Sequence, residues 1–285
     1  MFLSPTYHYK RRNKMGKFDG ILICTDLDGT LLRKDKSVSS ENIEAIEYFK
    51  KEGGKFTFIT GRMPYTSIKI YEKVKPNAPI GCINGGGVFD FERDEYLWIQ
   101  TLPEEAFELV KYIESEIPDI GVQINTSRTI YFTKDNPAMV RFRELTGAPF
   151  VTCRYDEIKE PVAKMIFAHL EDEKVLKVAE LLSRHPKASM FGFIRSERTL
   201  YEILPKGTSK ATALLKLSEI LDINKTVAIG DYNNDVTMLK AAKVGVAVEN
   251  ACPEAKAVAD VITVNHVDHA IAKIIQYIDS EKIKF

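Results

Sequence analysis

Residues 21–32 are Ile-Leu-Ile-Cys-Thr-Asp-Leu-Asp-Gly-Thr-Leu-Leu, and the predicted fold is arranged around them. A short apolar run ends in two acids, Asp26 and Asp28, and this pattern predicts a buried strand with carboxylates at its carboxyl end. In open α/β sheets that edge binds ligands, and a buried carboxylate is costly unless a cation compensates its charge. Mg²⁺ suits such a site, because it takes one or two carboxylates and a substrate phosphate. On these residues alone, a solvated Asp-Gly turn stays an open alternative.

The composition is that of an ordinary globular protein. The chain has 285 residues, and its length suggests about two domains. Lys plus Arg and Asp plus Glu each number 40, so bulk charge gives no case for a nucleic-acid or membrane partner. The four cysteines form no Cys-x-x-Cys pair and are expected to be small core residues in a reducing compartment.

Neither an export signal nor a membrane span is apparent. No apolar run approaches the roughly 18 residues that a span needs. Residues 1–17 are basic but lack the apolar stretch of a signal peptide, and we expect them to form an N-terminal tail. The expected location is therefore the cytoplasm.

Strands and helices alternate on both sides of a middle segment. Residues 18–87 and 198–285 predict a Rossmann-like parallel sheet with helices on both faces. Residues 88–197 mix hairpins with helices and predict an inserted α+β domain. A second strand, residues 55–59, stops at Thr60-Gly61-Arg62, and a right-handed crossover would bring Thr60 to the sheet edge that holds Asp26.

Two later segments carry further polar groups. Lys210 opens a helix predicted to run to Leu221, and it lies on the apolar stripe in a first turn where the helix dipole disfavours a cation. A surface lysine whose stem covers the stripe is the alternative. Residues 226–230 then predict another buried strand, which ends in the acids of residues 231–235. Two such acidic edges in one sheet are unlike an ordinary turn.

A glycine run, Asn84-Gly85-Gly86-Gly87, follows the predicted strand 80–83. It resembles a phosphate cradle, but it lacks the Lys-Ser or Lys-Thr pair of a P-loop and the wider glycine pattern of a dinucleotide site. We interpret it as a turn or hinge.

The groups predicted to lie at this edge of the sheet are one cation site, one ammonium, one hydroxyl and one surplus carboxylate. These groups suit phosphoryl transfer, in which charge develops on three equatorial oxygens, and the surplus carboxylate can be the nucleophile. The residues are Asp26, Asp28, Thr60, Lys210, Asp231, Asn234 and Asp235.

The four segments resemble the four signature motifs of the haloacid dehalogenase superfamily, in the form of its Cof-like (subfamily IIB) phosphatases. Asp26 to Thr30 is similar to the first motif, Thr60 to Arg62 to the second, Lys210 to the third and Gly230 to Asp235 to the fourth. The resemblance implies a core of residues 18–87 and 198–285, with residues 88–197 as a cap that sets substrate specificity. It also implies Mg²⁺-dependent hydrolysis of small phosphorylated metabolites, sugar phosphates foremost, through an aspartyl-phosphate.

The same resemblance implies a role for each residue. Asp26 would be the nucleophile. Asp28 would protonate the leaving alcohol and then activate water, while its main-chain carbonyl binds Mg²⁺. The metal site would comprise Asp26, Asp28, Asp231 and Asp235, with Asp235 as a supporting carboxylate. The phosphoryl oxygens would be held by Thr60, Lys210, Asn234 and the backbone of Leu27 and Gly61.

Two positions depart from the family pattern. Ala211 stands where the family usually has Gly, and Tyr232-Asn233 replaces a turn that carries Gly in many relatives; neither change removes a chemical group.

Two other functions stay open: a phosphomutase of related fold, and a regulatory module that binds phosphate and Mg²⁺ without turnover. The expected partner is a small phosphorylated molecule, and the sequence does not indicate an oligomeric state.

Overall fold

The computed structural model describes residues 16–147 and 149–285, which divide into two units. The first comprises residues 16–60, 69–98 and 209–285, and the second comprises residues 61–68, 99–147 and 149–208. The predicted N-terminal tail lies outside the described residues as far as residue 15. The domain boundaries predicted at residues 87 and 198 stay a prediction.

Strands and helices alternate along most of the described chain. The strands are β1 Ile21–Thr25, β2 Lys55–Phe58, β3 Ile80–Cys82, β4 Gly87–Asp90, β5 Glu95–Ile99, β6 Gly121–Thr126, β7 Ile130–Lys134, β8 Val151–Thr152, β9 Val162–Ala168, β10 Phe191–Glu197, β11 Leu200–Pro205, β12 Lys225–Gly230, β13 Val244–Ala247 and β14 Val261–Ile262. The α-helices are α1 Ser40–Lys51, α2 Pro64–Val74, α3 Ala106–Glu116, α4 Pro137–Thr146, α5 Asp172–Arg184, α6 Lys210–Leu221, α7 Val236–Ala241, α8 Pro253–Lys256 and α9 Ala270–Asp279.

The first unit is built on a parallel sheet with the strand order β14-β13-β12-β1-β2. The chain moves from β1 to β2 in one direction and from β12 to β14 in the other, so the strand order reverses between β1 and β12. A parallel bridge between Ile59 and Gly81 continues the sheet towards β3. In such sheets the crevice at the reversal point is where ligands bind, and β1 and β12 are the strands that end in acids.

Helices complete the first unit. Right-handed crossovers in opposite directions place α1 and α7 on opposite faces of the sheet. α1 begins where the Ser39 side chain accepts a hydrogen bond from the Asn42 N–H, and it packs against α9. The strand interiors, such as Ile23 and Val227, are fully buried. The predicted α/β fold with a parallel sheet is confirmed.

The second unit has a six-stranded, largely antiparallel sheet with the order β10-β11-β9-β6-β7-β8. Side chains of α3 and α5, including Leu109 and Val178, form one buried cluster with β6 and β9. Met139 of α4 belongs to a second cluster. The Asn136 side chain caps α4, and Pro137 opens it. This unit therefore has a core of its own, and its α+β class is as predicted.

Among the described residues, no helix combines the length and the apolar character needed to cross a bilayer. Cys24 and Cys82 are buried. Cys153 and Cys252 are only partly buried, so the prediction of small core residues is right for two of the four cysteines and wrong for the other two.

Candidate active site

Asp26 is held at the carboxyl end of β1 by its own backbone. Its N–H donates to the carbonyl oxygen of Ile229 at 2.8 Å and so extends the pairing of β1 with β12 by one residue. Its carbonyl oxygen accepts from the Thr25 hydroxyl at 2.8 Å. The residue is 6% exposed. The carboxylate therefore lies almost fully buried at the point where the strand order reverses.

Lys210 lies beside Asp26 and is the most deeply buried cation of the site. Its Nζ lies 2.5 Å from Oδ1 of Asp26 and 2.5 Å from Oδ1 of Asp235, and the residue is 1% exposed. The alternative of a surface lysine is therefore wrong. Burial lowers the pKa of Lys210, but the two carboxylates outweigh burial and raise it. The side chain therefore stays an ammonium.

Asp235 closes the turn after β12. Its Oδ2 accepts hydrogen bonds from the backbone N–H groups of Asp231 and Tyr232, at 2.9 and 3.0 Å. Its other oxygen accepts from Lys210, and the residue is fully buried. Asp235 thus fixes both the ammonium and the turn that carries Asp231.

Asp231 is oriented by the loop after β1. Its Oδ1 accepts from the Thr30 hydroxyl at 2.8 Å. A Cβ at Gly29 would lie 2.5 Å from Oδ2, so the loop approaches closer than a side chain allows. The Asn250 amide in turn donates to the Gly29 carbonyl at 2.9 Å.

The carboxylates of Asp26, Asp231 and Asp235 each contribute an oxygen to a cluster in which these oxygens lie within 4.8 Å of one another. Burial raises the pKa of Asp26 to about 8 although Lys210 opposes the rise, and the neighbouring carboxylates add to it. Burial and Asp235 raise the pKa of Asp231 to about 6. One ammonium thus faces three carboxylates, and the site lacks positive charge. Hard oxygen donors in this number fit a divalent cation such as Mg²⁺.

Asp28 is placed differently from the other acids. Its Oδ1 accepts from Lys36 Nζ at 2.6 Å, and its side chain is 43% exposed. The structure therefore does not bring its carboxylate into the buried cluster. The predicted contact of Asp28 with Mg²⁺ is through its main-chain carbonyl, and its predicted role as acid needs a carboxyl group that solvent can reach.

The predicted phosphate-binding residues lie in different parts of the fold. Thr60 is buried; its N–H donates to the Gly81 carbonyl at 3.0 Å. The Leu27 carbonyl accepts from three N–H groups of its own loop, so the backbone there is tightly turned. Gly61 belongs to the second unit, where its carbonyl accepts from Lys164 Nζ at 3.0 Å. The roles of these residues stay predictions.

Sequence reasoning missed three polar residues of the site. Thr30 and Asn250 orient Asp231 and its neighbouring loop. Asn84 is 2% exposed, and its Oδ1 accepts from the Asn234 amide at 3.3 Å. The signal for Asn84 was an amide directly after a buried strand at the same sheet edge. No comparable signal marks Asn250.

Comparisons with known proteins agree with the family resemblance of the four sequence motifs. The family model of haloacid dehalogenase-like hydrolases matches residues 23–275. The chain is 25% identical to the phosphatase YwpJ of Bacillus subtilis, over 90% of this chain and 99% of that protein. It is 26% identical to the 5-amino-6-(5-phospho-D-ribitylamino)uracil phosphatase YitU of B. subtilis, over 90% and 96%. A haloacid dehalogenase-like hydrolase from Bacteroides thetaiotaomicron has a similar structure, with a TM-score of 0.81, 26% identity and coverage of 92% and 99%.

Proposed function

The chain belongs to the haloacid dehalogenase-like hydrolase family and is a phosphatase, and we propose that it uses Mg²⁺ to hydrolyse small phosphorylated metabolites, sugar phosphates foremost. One observation supports this proposal above the others. Two buried carboxylates, Asp26 and Asp235, and the half-buried carboxylate of Asp231 meet one buried ammonium at the point where the strand order of the sheet reverses. Such a charge deficit is what a divalent cation would balance.

The metal would be held by the carboxylates of Asp26 and Asp231 and by the main-chain carbonyl of Asp28. Bound there, Mg²⁺ would supply positive charge for the substrate phosphate. Asp235 would be a supporting carboxylate and not a principal metal ligand, because its oxygens already accept hydrogen bonds from Lys210 and from two backbone N–H groups.

The chain's own residues account for the proton and phosphoryl transfers. Lys210 occupies Oδ1 of Asp26, which leaves Oδ2 to attack the phosphorus atom. The bond to the leaving oxygen breaks as Asp28 protonates that oxygen, and an aspartyl-phosphate remains on Asp26. Asp28 would then remove a proton from a water molecule as the water oxygen attacks the phosphorus; the bond between phosphorus and Oδ2 of Asp26 breaks, which releases inorganic phosphate and regenerates the Asp26 carboxylate. Thr60, Lys210 and Asn234, with the backbone of Leu27 and Gly61, would hold the phosphoryl oxygens.

The second unit would select the substrate. The family resemblance assigns residues 88–197 to a cap, and relatives with similar chains differ in what they are named for. YitU is named for a phosphorylated ribitylamino compound, which supports a polyhydroxylated metabolite as the substrate class. We place the enzyme in the cytoplasm with a small molecule as its partner, in keeping with the absence of disulfides among the described residues and with the balanced charge.

Phosphate release from phosphorylated sugars, nucleotides and an aryl phosphate tests this proposal. We expect turnover with Mg²⁺, none after chelation, and a loss of at least about 10⁴-fold in Asp26→Asn, because the amide is not a nucleophile. Asp94→Asn is the matched control: Asp94 is exposed at the turn between β4 and β5, and its substitution should leave turnover unchanged. Turnover that survives chelation, or full activity in Asp26→Asn, would contradict the mechanism. Transfer of the phosphoryl group to a second sugar position would indicate the mutase.

A further inference from the structure

The turn after β3 has an unusual backbone. Ile83, Asn84 and Gly85 have φ values of 57°, 52° and 98°, so all three lie in the left-handed region. A β-branched residue rarely adopts this conformation, and the cost is about 1–3 kcal/mol for such a residue. Strain of this kind persists only where surrounding contacts hold it, and it is concentrated at functional sites.

Three segments of the active site hold this turn. The Asn84 N–H donates to the Thr60 carbonyl at 3.0 Å. A Cβ at Gly85 would lie 1.8 Å from the carbonyl oxygen of Ser209, so the turn lies directly against the first residues of α6. The Asn84 side chain accepts from Asn234. The turn therefore touches Thr60, Ser209 and Asn234 of the first unit, which belong to the second motif, precede the third and belong to the fourth.

The hydrogen bond between the two amides sets the orientation of Asn234. Its Nδ2 carries two hydrogens, and one is donated to Oδ1 of Asn84 at 3.3 Å. This bond directs the Nδ2 end of the Asn234 amide towards Asn84 and leaves its second hydrogen to donate to another acceptor. Asn84 suits this position, because asparagine tolerates a left-handed backbone and accepts a hydrogen bond without adding a further negative charge to the unit that holds the carboxylate cluster.

We propose that Asn84 is a positioning residue: its side-chain oxygen orients the Asn234 amide so that the amide donates to a phosphoryl oxygen. This inference rests on the proposed function of the same site. Asn84 itself need not touch the substrate, and its effect passes through Asn234.

The test uses Asn84→Gly, which removes the acceptor and keeps the left-handed backbone. We expect kcat/KM to fall about tenfold and the affinity for inorganic phosphate, measured by calorimetry, to weaken by a similar factor. Asp94→Gly is the matched control, because Asp94 is exposed and has a φ of 53°. The control should leave kcat/KM and phosphate affinity unchanged, and both variants should keep the wild-type melting temperature within a few degrees.

A double-mutant cycle with Asn234→Ala separates positioning from a structural effect. We expect Asn84→Gly to cost less than about twofold in the Asn234→Ala background, because the amide that it orients is gone. A full tenfold loss in both backgrounds would overturn the proposal, as would unchanged phosphate affinity in Asn84→Gly. A wild-type protein without turnover would reject the proposed function, while phosphate binding would still test Asn84.

Discussion

The two acids of the turn after β12 have different surroundings and therefore different expected roles. Asp235 is fully buried and accepts from one ammonium and two backbone N–H groups. Asp231 accepts from the Thr30 hydroxyl, and its other oxygen lies beside the loop after β1. Asp235 thus resembles a fixed part of the scaffold, whereas Asp231 has the capacity to bind a cation.

The raised pKa of Asp231 predicts a pH-dependent stability of the metal-free protein. Burial and Asp235 raise this pKa from 3.8 to about 6. The protonated form therefore favours the folded state below pH 3.8, and this contribution is lost as the pH rises through about 6. The loss corresponds to about 3 kcal/mol. Asp231→Asn cannot ionise, so its free energy of unfolding should rise relative to wild type between pH 4 and pH 7.5.

Urea unfolding in the presence of a chelator measures this difference. Mg²⁺ added at pH 7.5 should stabilise the wild type and have little effect on Asp231→Asn. Parallel pH profiles for the two proteins would show that ionisation of Asp231 does not destabilise the fold. Equal stabilisation of the two proteins by Mg²⁺ would show that Asp231 does not bind the metal.

The contact between the β3–β4 turn and α6 gives a prediction at the level of elements. Gly85→Ala would place a Cβ 1.8 Å from the Ser209 carbonyl, so the start of α6 would have to move and carry Lys210 away from its carboxylates. We expect a loss of at least about tenfold in kcat/KM and a destabilisation well above the 1–2 kcal/mol that a left-handed alanine costs.

Gly20→Ala serves as the control for Gly85→Ala. Gly20 has a φ of 76°, and a Cβ there would meet nothing within 4 Å. Its substitution should lower the free energy of unfolding only by the cost of a left-handed alanine, and it should leave turnover unchanged. Equal urea midpoints and equal activities for the two variants would mean that the contact with α6 does not hold Lys210 in place.

The strand pattern predicted the acidic sheet edge because strand order follows from short crossovers, and residues that end parallel strands share one edge. Asp26, Lys210 and Asp235 meet there. The left-handed turn at Asn84 was not predictable in the same way, since its conformation depends on contacts with residues distant in sequence. The ion pair of Asp28 with Lys36 is likewise a side-chain contact that no periodicity records.

At the scale of the whole molecule, each unit has its own buried core, and each contains a buried ion pair of a different kind. Lys210 of the first unit lies between two carboxylates in the candidate site. In the second unit, Nζ of Lys164 lies 2.9 Å from Glu202, and both side chains are buried. The first pair belongs to the proposed metal site, whereas the second lies within the six-stranded sheet, between β9 and β11.

These separate cores predict two unfolding transitions in scanning calorimetry. One should respond to Mg²⁺ and the other to the loss of the buried ion pair. Mg²⁺ should raise only the transition of the first unit. Lys164→Met leaves the buried Glu202 carboxylate without this ammonium, and breaking such a pair costs about 3–5 kcal/mol, so the other transition should fall by about 10 °C or more. The double variant Lys164→Met with Glu202→Met should recover most of that loss, because a matched apolar pair removes both charges. A single transition that shifts as a whole with Mg²⁺ and with Lys164→Met would contradict independent cores, and would mean that substrate selection and catalysis share one cooperative unit.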